Sequence, residues 1–178
     1  MSDNLSIWTI GHSTLGIDDF VTFLKSFDIE LLVDVRSFPG SRRYPHFNME
    51  NLKTALEGSG IRYEHFRELG GRRRALPDSR NLAWRNESLR GYADYMETEG
   101  FRAGIERLLE LADKQRVAIM CSEAVWWRCH RSMISDYLKV KGIDVNHIMD
   151  EDKATPHPFT SAASVVNGEL SYRGILSE

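Results

Sequence analysis

The sequence predicts an α/β protein, with a mainly parallel sheet of about five strands between two layers of helices and a small C-terminal hairpin. Short apolar runs of strand length alternate along the chain with segments whose apolar residues recur at helical spacing. Strands that alternate with helices in this way pair in parallel, and their helices cover both faces of the sheet. No repeat or linker divides the chain, so we expect a three-layer sandwich that forms a single domain over residues 1–178.

Five apolar runs are interpreted as strands because each is too short for a helix. The strands are expected at residues 5–10, 31–35, 61–66, 117–120 and 145–149. The third run alternates less cleanly than the others, but its position after a helical segment supports the same interpretation.

The helices are predicted from apolar residues that repeat every three or four positions. Ile17, Phe20 and Leu24 follow this spacing in the first helix, and Asn48 is a favourable N-terminal cap for the second. Further helical segments are expected at residues 92–96, 101–112 and 133–138.

Two segments depart from the alternating pattern. Residues 156–172 are predicted to form a hairpin-like tail, because Asn167-Gly168 separates two short apolar runs. Residues 67–90 are irregular, and their seven arginines outnumber the acidic residues by four. An irregular connection of this length is usually functional or mobile. Its basic excess is typical of a surface that binds polyanions.

The composition excludes several classes of protein. Apolar residues make up 42% and charged residues 28% of the chain, which is typical of globular proteins rather than disordered ones. No apolar run reaches the length of a membrane span, and the first residues lack the features of a signal peptide. We therefore expect a cytoplasmic protein without a membrane partner, in which two cysteines would not form a structural disulfide. The net charge of −3 gives no general reason to expect nucleic acid.

The chain is organised around residues 116–138, where a strand, a short loop and a helix follow one another. Cys121 stands at the C-terminal end of the strand, and Cys129, His130 and Arg131 are expected on the first turn of the helix. Ligands bind at the C-terminal edge of open parallel sheets, where helix N-termini present free N–H groups to anions. We therefore predict a functional site at this edge.

Parallel strands bring the residues at their C-terminal ends to the same edge of the sheet. The candidate catalytic residues near these ends are His12, Asp34, Arg36, Cys121, Glu123, His130 and Arg131. The candidate binding residues are Ser13, Ser41, Arg42, Gly70, Gly71, Arg72, Trp127, Arg128 and Cys129. Because side chains alternate along a strand, Asp34 and Arg36 are expected on the same side. His147 is also expected near this edge.

Five segments of the chain resemble a known family. They are IGHS at 10–13, LLVDVRSFPGSRR at 31–43, ELGG at 68–71, RGYADYM at 90–96 and CSEAVWWRCHRS at 121–132. They resemble the bacterial family catalogued as domain of unknown function 488, and the likeness spans nearly the whole chain. The feature typical of that family is a cysteine at a strand end followed by Cys-His-Arg, here Cys121 and residues 129–131. The resemblance implies a compact α/β domain and implies no established activity.

One hypothesis is nucleophilic chemistry at Cys121. A thiol at a strand end that faces a helix N-terminus, with arginines and a histidine nearby, is stabilised as a reactive thiolate. Rhodaneses and cysteine phosphatases have a similar layout. Here, however, six residues rather than five separate Cys121 from Arg128, and none of them is glycine. The alternative is a buried cysteine that only ends a strand.

The leading hypothesis is a hydrolase-like enzyme that acts on a phosphate-bearing or nucleic-acid-like substrate. The catalytic candidates then divide into a carboxylate (Asp34 or Glu123), a proton carrier (His12 or His130) and clamps for an oxyanion or phosphate (Arg36 and Arg131). Trp84 and Tyr92 in or beside the arginine-rich segment are expected to stack on bases. The structural alternatives are a solvated charged loop and an ion pair between Asp34 and Arg36. A non-catalytic module that binds an anion or nucleic acid, and a protein–protein adaptor, are further readings.

No metal or other cofactor is expected. Cys121, Cys129 and His130 do not form the two close ligand pairs that are typical of structural zinc sites. A disulfide between the two cysteines requires their Cβ atoms to approach closely, which the sequence does not indicate. The expected partner is a small anionic ligand or a nucleic acid, and the sequence leaves the substrate and the oligomeric state open.

Overall fold

The structure is a computed structural model that describes residues 5–174, so the first and last four residues of the expected 1–178 domain lie outside it. The strands are β1 (Ser6–Gly11), β2 (Leu31–Asp34), β3 (Arg62–His65), β4 (Val117–Cys121), β5 (Asp144–Asp150), β6 (Lys153–Pro156), β7 (Ser164–Val166) and β8 (Glu169–Ser171). The helices are α1 (Ile17–Ser26), α2 (Met49–Gly58), α3 (Glu87–Tyr95), α4 (Glu99–Lys114) and α5 (Arg131–Val140).

The main sheet confirms the predicted fold class and adds one strand to it. Its six strands lie in the order β3-β2-β4-β1-β5-β6. The first five are parallel, and β6 is antiparallel to β5 at one edge. Residues 153–156 were not predicted as a strand because they contain no apolar run and end in proline, which a sheet accepts at its edge.

The C-terminal tail is a hairpin, but a shorter one than predicted. It begins at Ser164 rather than at residue 156, and β7 pairs with β8 in antiparallel register. Asn167 and Gly168 both have positive φ angles, of 53° and 77°, as the favoured two-residue hairpin turn requires.

Two hydrophobic cores on opposite faces of the sheet complete the predicted three-layer sandwich. On one face, α1 and α2 pack through buried residues that include Phe20 and Leu52. On the other face, α3, α4 and α5 pack through residues that include Tyr92, Phe101 and Met133. Each helix presents an apolar stripe at helical spacing to the sheet, which is why the periodicity in the sequence identified it.

The strand order places a crevice between β1 and β4. These strands are neighbours in the sheet, yet the helix after β1 covers one face and the helix after β4 covers the other. The chain therefore leaves the two strand ends in opposite directions. Such a switch point at the C-terminal edge of a parallel sheet is where α/β proteins bind ligands.

The start of α5 differs from the prediction. Cys129 has extended φ and ψ angles of −141° and 163°, His130 immediately precedes the helix, and Arg131 is its first residue. Cys129 lies outside the helix and accepts hydrogen bonds from the free N–H groups at its N-terminus. Its Sγ accepts from the amide of Arg131 at 3.2 Å, and its carbonyl accepts from the amide of Ser132.

His147 was expected near the C-terminal edge of the sheet, but it does not lie there. It pairs with Thr9 in the middle of β5, and its side chain is fully buried. The strand continues as far as Asp150, so His147 lies three residues before its C-terminal end.

Candidate functional site

A cavity of about 780 Å³ opens at the C-terminal ends of β1, β2 and β4. It is lined by His12, Ser13, Thr14, Arg36, Ser37, Phe38, Gly40, Ser41, Arg43, Tyr44, Gly71, Arg72, Asn86, Ser88, Leu89, Cys121, Ser122, Glu123, Ala124, Arg128, Cys129 and His130. The volume lies within the range of small-molecule sites. A second cavity of about 670 Å³, between the hairpin and helices α3–α5, contains none of the predicted site residues.

Glycines allow the loops around the cavity to approach closely. A Cβ atom on Gly11 would lie 1.7 Å from the carbonyl oxygen of Glu123, and one on Gly71 would lie 2.3 Å from Nδ1 of His130. Both distances are far below van der Waals contact, so any side chain would push the loops apart. These glycines explain why the IGHS and ELGG segments have their sequences: each brings a loop against the segment that carries Cys121 and His130.

The two cysteines form a close thiol pair at the floor of the cavity. Cys121 ends β4, where the backbone ladder with Gly11 fixes it, and Cys129 returns from the loop that follows. Their Sγ atoms are 2.9 Å apart, with Cys129 donating to Cys121, and both thiols are free. The sequence did not indicate this approach, because it depends on the path of the seven residues between the two cysteines rather than on their spacing.

Arg131 lies beneath the thiol pair, and none of the carboxylates that the structure describes forms an ion pair with it. Its side chain is 1% exposed, Nη1 donates to Thr9 Oγ1 at 2.9 Å, and Nη2 donates to the carbonyl of Glu123 at 3.1 Å. Nε is buried without a hydrogen-bond partner among the described residues. A buried guanidinium is costly unless an opposite charge compensates it. A thiolate on Cys121 is the anion best placed to do so.

The surroundings of the pair divide the two thiols into a stronger and a weaker acid. Burial on its own would raise the pKa of Cys121, but the hydrogen bond from Cys129 and the charge of Arg131 lower it from about 9 to about 7. Burial and the neighbouring Cys121 raise the pKa of Cys129 well above its usual value. The pair therefore carries one negative charge near neutral pH, centred on Cys121, with the remaining proton on Cys129.

Asp34 and Arg36 form a buried ion pair rather than a free acid–base group. The Nε and Nη2 atoms of Arg36 donate to the two carboxylate oxygens of Asp34 at 2.9 and 2.7 Å. The hydroxyl of Tyr63 donates to the same carboxylate at 2.5 Å. Burial and then Asp34 raise the pKa of Tyr63, while Asp34 raises the pKa of Arg36 despite its burial. Asp34 does not line the cavity and has no lone pair directed to a substrate, so it positions Arg36.

The two site histidines are neutral and have fixed tautomers. His12 Nδ1 donates to the carbonyl of Ser13 at 2.9 Å, which leaves Nε2 with a lone pair and no protein partner among the described residues. His130 Nε2 donates to the carbonyl of Val35 at 2.8 Å, which leaves its Nδ1 as an acceptor 3.8 Å from Cys129 Sγ. Burial lowers the pKa of each ring to about 4. Both rings can therefore accept a proton at neutral pH.

The cavity is positively charged. Four arginines line it, namely Arg36, Arg43, Arg72 and Arg128, against a single acidic residue, Glu123. Hydroxyl and amide groups from several serines, Thr14 and Asn86 complete the wall. Ser13 has a φ angle of 45°, in the left-handed region that non-glycine residues rarely adopt, and such strain concentrates at functional sites.

A buried row of hydrogen bonds extends from Arg131 away from the cavity. Thr9 Oγ1 accepts from Arg131 and is hydrogen-bonded to Nδ1 of His147 at 2.5 Å. His147 Nε2 is hydrogen-bonded to Nδ1 of His157 at 2.8 Å, and His157 Nε2 donates to the carboxylate of Asp136 at 2.8 Å. The two ends are defined, because an arginine only donates and a carboxylate only accepts. Burial and neighbouring positive charge lower the pKa of His147.

This row of hydrogen bonds was not predicted from the sequence. Thr9 and His147 belong to buried strands, and Asp136 lies on the buried face of α5, so a polar residue on an apolar face was the available signal. Asp136 accepts further hydrogen bonds from Thr160 and from the hydroxyl of Tyr172 at 2.7 Å. His157, the fourth member of the row, is buried as well.

The structure brings most of the predicted residues to the cavity. Those that line it are His12, Ser13, Arg36, Ser41, Gly71, Arg72, Cys121, Glu123, Arg128, Cys129 and His130. Asp34 and Arg131 lie behind the wall. Gly70 packs against Ser37, while Arg42 and Trp127 are exposed outside the cavity. Arg43 and Tyr44 also line the cavity but were not predicted, although they belong to the loop after β2 that contains the predicted Ser41.

The aromatic residues expected to stack on bases are not available to do so. Tyr92 is fully buried, and its hydroxyl donates to the carbonyl of Leu69. Trp84 is half-buried and packs edge-on against Tyr172, with ring centroids 5.5 Å apart. Both were expected at the surface because they accompany arginines, but their apolar rings instead anchor the irregular segment to the core. The exposed arginines of that segment are Arg67, Arg72, Arg74, Arg80 and Arg85.

Within residues 5–174, no group of three or more histidine, cysteine or acidic side chains is arranged to hold a metal ion. None of the helices in this range is long and apolar enough to cross a membrane.

Comparisons with known proteins identify a family. No curated protein and no solved structure matches the chain. One family matches residues 16–138, more than two thirds of the chain, and this range contains Asp34, Arg36, Cys121 and the Cys-His-Arg segment. The chain therefore belongs to the family described as Domain of unknown function DUF488.

Proposed function

We propose that the protein is an enzyme that binds a small anionic substrate at the C-terminal edge of the sheet and attacks it with the thiolate of Cys121. The observation that carries the proposal is the pairing of Cys121 with a protonated Cys129, 2.9 Å away, above a buried Arg131 that has no carboxylate partner within residues 5–174. A structural cysteine at a strand end needs neither neighbour. Both neighbours favour a nucleophile, because they keep the thiolate of Cys121 populated at neutral pH.

The charge of the cavity supports an anionic substrate. Arg72 and Arg128 are exposed and line the wall, and Arg36 is held in place by Asp34. Guanidinium groups suit phosphate and carboxylate groups because they donate several hydrogen bonds in one plane. A phosphate-bearing substrate accordingly fits the site in charge and in size.

Glu123 and His12 would assist the reaction. Both line the cavity with Cys121, and Nε2 of neutral His12 can accept a proton from water that attacks a covalent intermediate. The segment after Cys121 does not resemble a phosphatase loop, because it carries tryptophans in a short helical turn where such a loop favours glycine. The proposal is therefore for cysteine-dependent transfer or hydrolysis, without a phosphatase mechanism.

A second candidate is acid–base hydrolysis of a phosphodiester, in which His12 activates water directly. The specific observation in its favour is the unpartnered Nε2 of His12, in a cavity lined by four arginines. This route does not use the thiol, so Cys121→Ser separates the two functions. It would retain activity on a phosphodiester in the second case and lose all turnover in the first.

The primary test is alkylation of the folded protein with iodoacetamide across a range of pH. Cys121 should react faster than Cys129, with a midpoint near the pKa of about 7, and Cys121→Ser should abolish the fast phase. Inorganic pyrophosphate should protect Cys121. Arg72→Ala should weaken this protection, whereas Arg80→Ala, which removes an exposed arginine of the same segment outside the cavity, should preserve it. Equally slow labelling of both thiols would return Cys121 to a structural role.

A further inference from the structure

We propose that Cys121 and Cys129 act together as a redox dithiol that reduces the disulfides of small anionic thiols. This inference rests on the proposed nucleophilic role of Cys121 and assigns a substrate class to the same cavity. Cys121 is the attacking residue, and Cys129 is the residue that resolves the intermediate.

The geometry of the pair is close to that of a disulfide. The Sγ atoms are 2.9 Å apart, and a disulfide bond is about 2.05 Å long, so closure requires less than about 1 Å of movement. Cys121 is fixed by the ladder of β4. Cys129 stands in an extended segment between a short helical turn and α5, so a small rotation there can bring its sulfur closer without disturbing the sheet.

The neighbours of Cys129 suit a resolving thiol. When Cys121 is bonded to a substrate sulfur, it no longer accepts the proton of Cys129. Nδ1 of His130 then lies 3.8 Å from Cys129 Sγ and can accept this proton, because the N–H of the ring is on Nε2, which donates to the carbonyl of Val35. The amide of Arg131 already donates to Cys129 Sγ at 3.2 Å and would stabilise the thiolate that forms.

The reaction proceeds in two exchanges. The Cys121 thiolate attacks a substrate disulfide RS–SR, forms a Cys121–SR bond and releases RS⁻. Cys129 then gives its proton to His130, and its sulfur attacks Cys121 Sγ, which forms the Cys121–Cys129 bond and releases a second RS⁻ that takes up that proton. Two electrons pass from the dithiol to the substrate. A small-molecule dithiol such as dithiothreitol returns the protein to its reduced form.

The cavity favours an anionic disulfide over other oxidants. A peroxide needs only a narrow channel, whereas this cavity measures about 780 Å³ and is open to solvent through its arginine-lined wall. Because Asp34 neutralises Arg36, three arginines (Arg43, Arg72 and Arg128) remain there against one glutamate. This excess attracts a carboxylate-bearing disulfide and repels a cationic one.

The test compares two small disulfides of opposite charge, dithiodipropionate and cystamine. Reduced protein is mixed with each, quenched with acid and analysed by intact mass and by thiol counting. The dianionic disulfide should oxidise the wild type to the intramolecular disulfide about tenfold faster than the dicationic one, or more. Arg72→Ala with Arg128→Ala should remove most of this difference, and Arg80→Ala should not.

Variants of the thiols identify the steps. Cys129→Ser, and Cys129→Ala as a second form in case one folds poorly, should stop at a stable mixed disulfide that gains the mass of one thiol. Cys121→Ser should form neither product. A wild-type protein that also accumulates the mixed disulfide would overturn the dithiol inference and leave the nucleophile intact. A protein that alkylates at Cys121 but reacts equally with both disulfides would overturn the substrate class, and thiols inert to both reagents would overturn the proposed function as well.

Discussion

Replacement of Arg131 by methionine tests whether this arginine is the counter-ion of the Cys121 thiolate. Burial opposes ionisation of Cys121, and the hydrogen bond from Cys129, the charge of Arg131 and a backbone hydrogen bond with Glu123 together lower its pKa to about 7. Without the guanidinium, we expect the pKa of Cys121 to rise towards its usual value of about 9, with Cys129 and Glu123 still opposing the rise. A full return to about 9 would lower the thiolate fraction at about pH 7.5 from about 76% to about 3%, a loss of about 25-fold that is the upper limit of the effect.

The rate of alkylation will change less than the thiolate fraction. A thiolate of higher pKa is intrinsically more nucleophilic, with a Brønsted coefficient of about 0.4–0.5, which returns about six- to tenfold for two units. The net rate at about pH 7.5 should therefore fall only about threefold in Arg131→Met. The pH midpoint is the sharper observable, and it can be followed by the ultraviolet absorbance of the thiolate, with Cys121→Ser as the blank.

Two controls make the result decisive. Arg131→Lys keeps a positive charge at the site, so its midpoint should stay well below that of Arg131→Met. Circular dichroism checks folding, because the methionine leaves Thr9 Oγ1 and the carbonyl of Glu123 without their donor, at a cost of about 1–3 kcal/mol. A folded Arg131→Met protein whose Cys121 midpoint remains near 7 would refute the counter-ion role.

Three further predictions concern stability, each measured by urea unfolding under reducing conditions. The pKa of Cys121 is lower in the folded protein than in the unfolded chain, so its contribution to the free energy of unfolding is complete above the unfolded value of about 9 and is lost as the pH falls through about 7. As the pH rises from about 7 to about 9, the free energy of unfolding of the wild type should increase by up to about 2.7 kcal/mol relative to that of Cys121→Ser. A difference between the two proteins that does not change with pH would contradict this prediction. Gly11→Ala should destabilise the fold by about 1–3 kcal/mol or more, since its Cβ would meet the carbonyl of Glu123, while Gly16→Ala, which has open space around it, should be nearly neutral. Asp136→Asn should cost about 3 kcal/mol, because a buried carboxylate that accepts four hydrogen bonds loses its charge and gains donors it cannot place; an unchanged midpoint of unfolding would mean that the row does not need the charge.

The sequence predicted the layers of the fold because they follow from periodicity. Phe20 and Leu24 mark the apolar face of α1, and Val117 to Met120 are a continuous apolar run because β4 is covered on both faces. Pro156 and its neighbours carry no such pattern, since β6 is an exposed edge strand held by its backbone. The order of the strands could not be predicted either, because no local sequence pattern indicates that β4 lies between β2 and β1.

The candidate site was predictable to the extent that it follows from strand ends. His12, Arg36 and Cys121 line one cavity because parallel strands finish at one edge. Asp34 also lies at a strand end, but its carboxylate is occupied by Arg36, in the ion pair that the sequence offered as an alternative, and by Tyr63 of the neighbouring strand β3. The thiol contact depends on the extended backbone of Cys129, which the helical spacing of the residues after it concealed.

The difference between the two buried arginines explains how one site can hold both a substrate-binding cation and a thiolate. Arg36 is neutralised by direct contact with Asp34, so it offers hydrogen bonds at the cavity wall with little net charge. Arg131 and Asp136 are five residues apart on α5, about 140° around the helix axis, and they cannot meet. They are joined instead by a row of hydrogen bonds through Thr9, His147 and His157, which positions the guanidinium without a direct ion pair. The positive charge of Arg131 is thus left for the one anion that can form beside it, the thiolate of Cys121.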